Sequence, residues 1–133
     1  EAGEFLLSKG AAYAVVKQGE YGATLLGRDA GGNLRIFRCP AYPLKTLVDP
    51  TGAGDTFLGA LAGYLSTLPP GLPPFEEVRW GIVYGTVAAS FTCESFSADA
   101  LLSMTKETFR RRLEEYAEMC RLPDIRLFSA SDC

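Results

Sequence analysis

The most constraining feature of this sequence is a glycine-rich turn between an apolar pair and an amphipathic helical pattern. The pair is Leu47-Val48, the turn covers residues 49–54, and the helical pattern runs from residue 54 to about residue 68. Its apolar stripe contains Phe57, Leu58, Leu61, Ala62 and Leu65. Apolar residues at this spacing predict one buried helix face. The order therefore predicts a strand, a tight turn and a helix, which is typical of an α/β protein.

Three short apolar segments precede this unit, at residues 12–16, 23–26 and 34–39. Glycines separate the first two, and an Asp-Ala-Gly-Gly-Asn turn separates the second and third. This spacing predicts antiparallel strands that extend a sheet begun earlier. The first strand is short enough to be buried on both faces, and Leu34 and Ile36 occupy alternate positions in the third. Residues 1–9 look like the last turns of a helix, with Ala2, Phe5 and Leu6 at helical spacing.

Two further helices are predicted after the turn. Residues 75–92 are rich in small side chains that permit close packing, and residues 105–120 begin at Thr105, a favourable N-cap. We assign residues 1–121, which contain these strands and helices, to part of a single domain. Residues 122–133 remain an unassigned tail. Because the sequence begins inside a helix, we expect that further chain precedes it.

Composition narrows the classes of function. The net charge of −3 offers no basic surface for nucleic acid, and no apolar run approaches the roughly 20 residues of a membrane span. There is no histidine, and the four cysteines form no CxxC pair. We therefore expect no zinc site, and a histidine-dependent nucleophile is excluded. We expect a soluble, cytoplasmic protein with reduced thiols, whose acid–base chemistry comes from a carboxylate, Lys, Tyr or Cys.

The glycine-rich turn predicts an anion-binding site. Gly52 and Gly54 allow close backbone approach, and the amides of Gly52-Ala53-Gly54 would point out of a helix N-terminus, where the helix dipole favours negative charge. Asp55 would repel such a ligand, so its functional interpretation is a base that takes a proton from an attacking hydroxyl. The alternative is structural, because Asp is favoured in the first turn of many helices. The residues alone leave both interpretations open.

The segment Asp-Pro-Thr-Gly-Ala-Gly-Asp-Thr-Phe at residues 49–57 resembles the C-terminal signature of the ribokinase-like (PfkB) carbohydrate kinases. The resemblance implies that the amides of Gly52, Ala53 and Gly54 form an anion hole and that Asp55 is the catalytic base. It also implies that Asp49 and Thr51 help to bind an activating monovalent cation, although Asp49 alone is equally well explained as a turn-forming residue.

Two further segments resemble the same family. Residues 15–23, Val-Val-Lys-Gln-Gly-Glu-Tyr-Gly-Ala, resemble its strand–turn segment beside the nucleotide, which implies that Lys17, Gly19 and Gly22 contact ATP together with Thr51. The small-residue helix at residues 81–90 and residues 93–97 stand where the family has its adenine wall and cation loop. The usual Gly-Ala is replaced there by Glu94-Ser95-Phe96-Ser97.

The resemblance implies the C-terminal portion of a ribokinase-like, Rossmann-type three-layer fold. It implies an ATP-dependent phosphotransferase that uses Mg²⁺, with K⁺ as a further cation, and an alcohol group of a sugar as the acceptor. The alternatives are a nucleoside (adenosine-like) kinase, a non-catalytic nucleotide-binding module, and a structural α/β domain. No nucleic acid or membrane partner is expected.

Family members are about twice this length, and their N-terminal half carries an N-x-x-E motif that organises magnesium. The only asparagine here is Asn33, and no N-x-x-E follows it. We therefore expect a fragment that lacks the N-terminal half, exposes sheet edges and is inactive alone, whereas the full-length protein could be a homodimer.

Overall fold

Three antiparallel strands form a sheet in the order β1-β2-β3. In the computed structural model, which describes residues 1–96 and 99–122, β1 is Tyr13–Lys17, β2 is Ala23–Arg28 and β3 is Leu34–Cys39. The first turn is a 3₁₀ turn at Gly19–Tyr21, and in the second turn the carboxylate of Asp29 accepts hydrogen bonds from two turn amides. The glycine-marked breaks in the sequence are therefore real turns, and the predicted antiparallel arrangement is confirmed.

Five helices surround the sheet in the described part of the chain. They are α1 (Ala2–Ser8), α2 (Ala53–Leu65), α3 (Phe75–Cys93), α4 (Asp99–Leu102) and α5 (Lys106–Met119). Thr105 caps α5 as predicted, since its hydroxyl accepts a hydrogen bond from the Thr108 amide at 3.1 Å. None of these helices, in residues 1–96 and 99–122, is both long and apolar enough to cross a membrane. The single turn of α4 was not predicted.

The two faces of the sheet are covered differently. On one face, α1 places Leu7 against Ala14 and Leu26. On the other face, the larger helices build the main core around Leu25 and Ile82, both of which are fully buried. The layers are thus helix, sheet and helices, which agrees with the expected α/β class.

The contact between α2 and α3 is unusually close because α3 presents glycines to it. A Cβ atom added at Gly85 would lie 2.8 Å from the carbonyl oxygen of Phe57, and one added at Gly81 would lie 2.5 Å from a methyl group of Leu61. Phe57 and Leu61 are the buried residues of α2. The small residues of α3 therefore do what the sequence predicted, which is to permit close helix packing.

Burial corrects several details of the sequence prediction. Leu47 and Val48 form no strand, because the chain from residue 40 to residue 50 runs without regular structure after Pro40 and Pro43. In α2, Leu58 is 59% exposed and Ala62 is also exposed. The predicted stripe was too wide because α3 covers only one narrow side of the helix.

The same correction applies to the sheet and to α1. Leu34 and Ile36 are exposed, because the side of β3 that packs on the core carries Phe37 and Cys39 instead. In β1, Ala14 is buried on the face that α1 covers, and Tyr13 and Val15 are partly buried against the main core on the other face, so both faces of this strand are covered as predicted. In α1 the buried residues are Gly3 and Leu7 rather than those at the predicted spacing, Ala2, Phe5 and Leu6.

We predict that Gly85→Ala destabilises the protein by about 1–3 kcal/mol, because the new methyl group overpacks a contact with backbone. The matched control is Gly59→Ala in α2, where a Cβ atom would meet nothing within 4 Å. That change should stabilise by about 0.5–1 kcal/mol, since alanine is the better helix former. Denaturant unfolding of both variants measures the difference, and equal effects would contradict the packing argument.

Candidate active site

The glycine-rich turn is shaped by Asp49 and Gly52. The carboxylate of Asp49 accepts a hydrogen bond from the Thr51 amide at 2.8 Å. Hydrogen bonds from the side chain and the amide of Thr51 hold the pKa of Asp49 below its usual value. Gly52 adopts a left-handed conformation with φ of 80°, which glycine adopts without strain, and α2 begins at the next residue. The turn-forming role of Asp49 is thus visible, and the predicted cation-binding role of Asp49 and Thr51 stays a prediction.

The N-terminus of α2 has spare hydrogen-bond donors. No side chain caps this helix. The Ala53 amide is used within the turn, where it donates to the Pro50 carbonyl at 3.1 Å. The amides of Gly54 and Asp55 have no backbone acceptor within the described residues. Unpaired amides at the positive end of a helix dipole are suited to an anion.

Lys17 lies beside this helix end. Its ammonium nitrogen is 3.2 Å from the carbonyl oxygen of Gly54 and 5.8 Å from the ring centre of Phe57. A Cβ atom added at Gly54 would approach the same nitrogen to 2.8 Å. The end of β1 and the start of α2 therefore meet at Gly54, which brings together the two segments singled out in the sequence. Lys17 makes no ion pair with a carboxylate among the residues that the structure describes.

Asp55 is exposed in the first turn of α2. Within residues 1–96 and 99–122 its carboxylate forms neither an ion pair nor a side-chain hydrogen bond. It is not the N-cap of the helix, since that position belongs to Gly52. A carboxylate without a structural partner, next to unpaired amides, is available to accept a proton from a bound hydroxyl group.

Contacts with the end of α3 hold the turn in place, and no sequence pattern indicated them. The hydroxyl groups of Thr56 and Thr92 are 2.9 Å apart. The Cys93 carbonyl accepts hydrogen bonds from the amides of Val48 at 2.9 Å and Asp49 at 3.4 Å. Hydroxyl and carbonyl partners this far apart in sequence follow no spacing rule, so only the fold brings them together.

Residues 94–97 replace the family's usual Gly-Ala, and the first of them is fixed by α5. Glu94 accepts a hydrogen bond from Arg112 at 2.7 Å, and the same guanidinium stacks 3.7 Å from the ring centre of Phe91. Ser97 lies outside the described residues. In the described part of the chain, no three His, Cys, Asp or Glu side chains form a group that could hold a metal ion.

Gly19 and Gly22, predicted to contact the nucleotide, have different surroundings. A Cβ atom at Gly22, whose φ is 89°, would lie 2.0 Å from the carbonyl oxygen of Cys39. The close approach at Gly22 is thus to this chain's own backbone. Gly19 has a φ of 57° and open space around it. A nucleotide could therefore approach Gly19, whereas Gly22 has a sufficient structural reason to be glycine.

The family assignment follows from comparison with known proteins. The model of the pfkB family of carbohydrate kinases matches residues 1–104, which include β1, the glycine-rich turn, α2 and α3. The chain belongs to this family. A curated relative, a cytidine kinase of Thermococcus kodakarensis, is 38% identical over 84 residues, which are 62% of this chain and 27% of that protein.

Two solved structures share the fold. A nucleoside kinase of Methanocaldococcus jannaschii, described as an archaeal member of the ribokinase family, matches with a TM-score of 0.59 and 21% identity over 78% of this chain and 30% of its own. A nucleoside kinase of Burkholderia thailandensis matches with a TM-score of 0.62 and 20% identity over 83% of this chain and 32% of its own. The chain thus spans about a third or less of these relatives, and the portion of the ribokinase-like fold that it contains is confirmed.

We predict that Gly22→Ala severely destabilises the protein, because it places a methyl group against backbone in a conformation that alanine rarely adopts. The control, Gly19→Ala, also has a positive φ, of 57°, but open space, so it should cost only about 1 kcal/mol. Thermal unfolding without ligand measures both changes. Equal losses for the two variants would show that the contact with Cys39 does not explain Gly22.

Proposed function

We propose that the protein containing this chain is an ATP-dependent kinase that transfers the γ-phosphate to an alcohol group, with Asp55 as the general base. The observation that carries the proposal is the juxtaposition at the start of α2. An exposed carboxylate without a structural partner stands beside unpaired helix amides and the ammonium group of Lys17. Membership in the pfkB family supports phosphoryl transfer.

The chemistry follows from these groups. Asp55 takes the proton of the acceptor hydroxyl as that oxygen bonds to the γ-phosphorus, and the bond from phosphorus to the bridging oxygen of ADP breaks. The amides of Gly54 and Asp55 and the ammonium of Lys17 stabilise the negative charge of the transferred group. Magnesium, when bound to ATP, supplies further charge neutralisation. The described residues contain no cluster of three metal ligands, so magnesium would be held here by the phosphates of ATP rather than by these side chains. Assignment of K⁺ to Asp49 and Thr51 remains part of this proposal.

The identity of the acceptor is proposed from the relatives of this chain. The sequence resemblance favoured a sugar, with a nucleoside as the alternative. We now propose a nucleoside, because the curated relative is a cytidine kinase and both structural neighbours are nucleoside kinases. A panel of nucleosides and free sugars, assayed for ADP formation with the full-length protein, distinguishes the two acceptors.

We predict that Asp55→Asn in the full-length protein leaves ATP affinity nearly unchanged and lowers kcat by about 10²–10⁴-fold, as expected for the loss of a general base. The variant should fold normally because the Asp55 carboxylate makes no structural contact within the described residues. Calorimetric titration with Mg-ATP and a coupled ADP assay measure the two quantities.

Asp49→Asn serves as the carboxylate control for that prediction, because it keeps an oxygen that can accept the Thr51 hydrogen bond. It should lower kcat much less than Asp55→Asn does. Unchanged turnover in Asp55→Asn would remove the proposed mechanism and favour the alternative of a non-catalytic nucleotide-binding module.

We predict that Lys17→Met weakens Mg-ATP binding about 10-fold or more, since a charge-assisted contact to phosphate contributes about 1.5–3 kcal/mol. Lys17→Arg retains the positive charge and should retain most of the affinity. Both variants should unfold at temperatures close to that of the parent, because Lys17 is exposed and, among the described residues, donates to one carbonyl group. Equal ATP affinity in the parent and Lys17→Met would place the phosphates elsewhere.

We further propose that residues 1–133 alone turn over no substrate, because they span only 27–32% of the relatives. The outer edge of β1 has no strand beside it in the described sheet. Two clefts of about 390 and 780 Å³ are lined by described residues, and neither includes Asp55 or any residue of the glycine-rich turn. Acceptor-dependent ADP formation by the isolated chain would refute this proposal.

A further inference from the structure

A buried thiol and a buried phenol meet where β3 ends. The Sγ atom of Cys39 is 3.1 Å from the hydroxyl group of Tyr116 and 3.4 Å from that of Thr86. The Tyr116 hydroxyl also donates to the Pro40 carbonyl at 2.5 Å. Cys39 is only 1% exposed, and it belongs to the core. These contacts lie outside the proposed phosphate site, and the kinase reaction does not need them.

A second thiol lies beside the same phenol. Cys120, at the C-terminal end of α5, follows Tyr116 by four residues, so the two side chains share one face of the helix. Cys39, Tyr116 and Cys120 line a single cleft of about 780 Å³ between β3, α3 and α5. Burial chiefly, and then hydrogen bonding to Cys39 and to Cys120, raises the pKa of Tyr116. The Tyr116 hydroxyl group thus contacts the Cys39 sulfur directly, and Cys120 lies one helical turn further along, in the same cleft.

We propose that Cys39 and Cys120 form a reversible disulfide that joins the end of β3 to the C-terminal end of α5. Closure requires a movement that brings the Cα atoms of the two cysteines to within about 4.4–6.8 Å and releases the Cys39 sulfur from the Tyr116 hydroxyl. Cys120 can supply that movement, since it lies at the exposed end of its helix. Tyr116 would then lose its hydrogen bond to Cys39.

The reaction is thiol–disulfide exchange with a small disulfide such as oxidised glutathione. The exposed Cys120 attacks first, forms a mixed disulfide and releases one reduced glutathione. Cys39 then loses its proton and attacks the Cys120 sulfur, which releases the second. Two protein thiols are oxidised and one glutathione disulfide is reduced to two thiols. Burial raises the pKa of Cys39, so the second step should be slower than the first.

The sequence makes the product easy to detect. Trypsin releases Cys39 in the peptide of residues 39–45 and Cys120 in the peptide of residues 113–121, and each peptide contains one cysteine. The full-length protein is treated with oxidised glutathione, blocked with an alkylating reagent without unfolding, digested and analysed by mass spectrometry. We expect these two peptides to be joined and to separate after treatment with dithiothreitol.

The controls separate this pair from other thiol reactions. Cys120→Ser should abolish the joined peptides, whereas Cys93→Ser should leave them unchanged. Tyr116→Phe removes the hydroxyl group that contacts the Cys39 sulfur, so the link should form faster than in the parent. An unchanged or slower rate would contradict the proposed displacement of the hydroxyl group.

A thermal measurement gives a second, independent readout. The disulfide closes a loop from residue 39 to residue 120 and constrains the unfolded chain, so oxidation should raise the Tm of the parent but not that of Cys120→Ser. The proposal is overturned if Cys120 remains a mixed disulfide with glutathione while Cys39 stays reduced, or if oxidation leaves the Tm unchanged.

Discussion

The close packing of α2 on α3 determines where the glycine-rich turn lies. Because Gly85 and Gly81 lack side chains, Phe57 and Leu61 approach α3 more closely than any larger residue would allow. This contact places the start of α2 beside the end of α3, where Thr56 meets Thr92 and the Cys93 carbonyl holds the segment before the turn. The spare amides of α2 are therefore fixed in space by core packing, which is the kind of preorganisation that charge stabilisation requires.

The sequence predicted the parts of the fold that depend on local chemistry. Turn residues and apolar periodicity located the strands and the four longer helices, because backbone preferences and capping act over a few residues. The same information could not predict which side of β3 is buried. Leu34 and Ile36 are as apolar as core residues, but the covered side of the strand depends on where distant helices pack. Leu47 and Val48 were mistaken for a strand because a short apolar pair does not reveal whether a neighbouring strand is present.

Some residues of the candidate site could be predicted from the sequence, and others could not. The glycine-rich turn and Asp55 could be found from the sequence, since the turn needs a left-handed residue and the helix begins at once. The order of the segments and the family resemblance predicted that Lys17 belongs to the same site. In the structure Lys17 lies beside Gly54. The contact between Thr56 and Thr92 could not be predicted, because two hydroxyl residues in different helices form no recognisable pattern. Gly22 was predicted to contact the nucleotide, but the close approach of this chain's own backbone is enough to explain why the residue is glycine.

The charges at the start of α2 fit the proposed binding of an anion between them. The helix dipole favours the carboxylate of Asp55 at this end and opposes the ammonium group of Lys17, whose described partners are the neutral carbonyl of Gly54 and the ring of Phe57. A phosphate reverses the balance, since it attracts Lys17 and repels Asp55. In the proposed reaction, transfer of the hydroxyl proton to Asp55 neutralises that carboxylate at the moment when negative charge builds on the phosphoryl group. Each group is therefore unfavourable at one stage and useful at the next, which is a reason for a catalytic site, rather than a structural turn, to contain both.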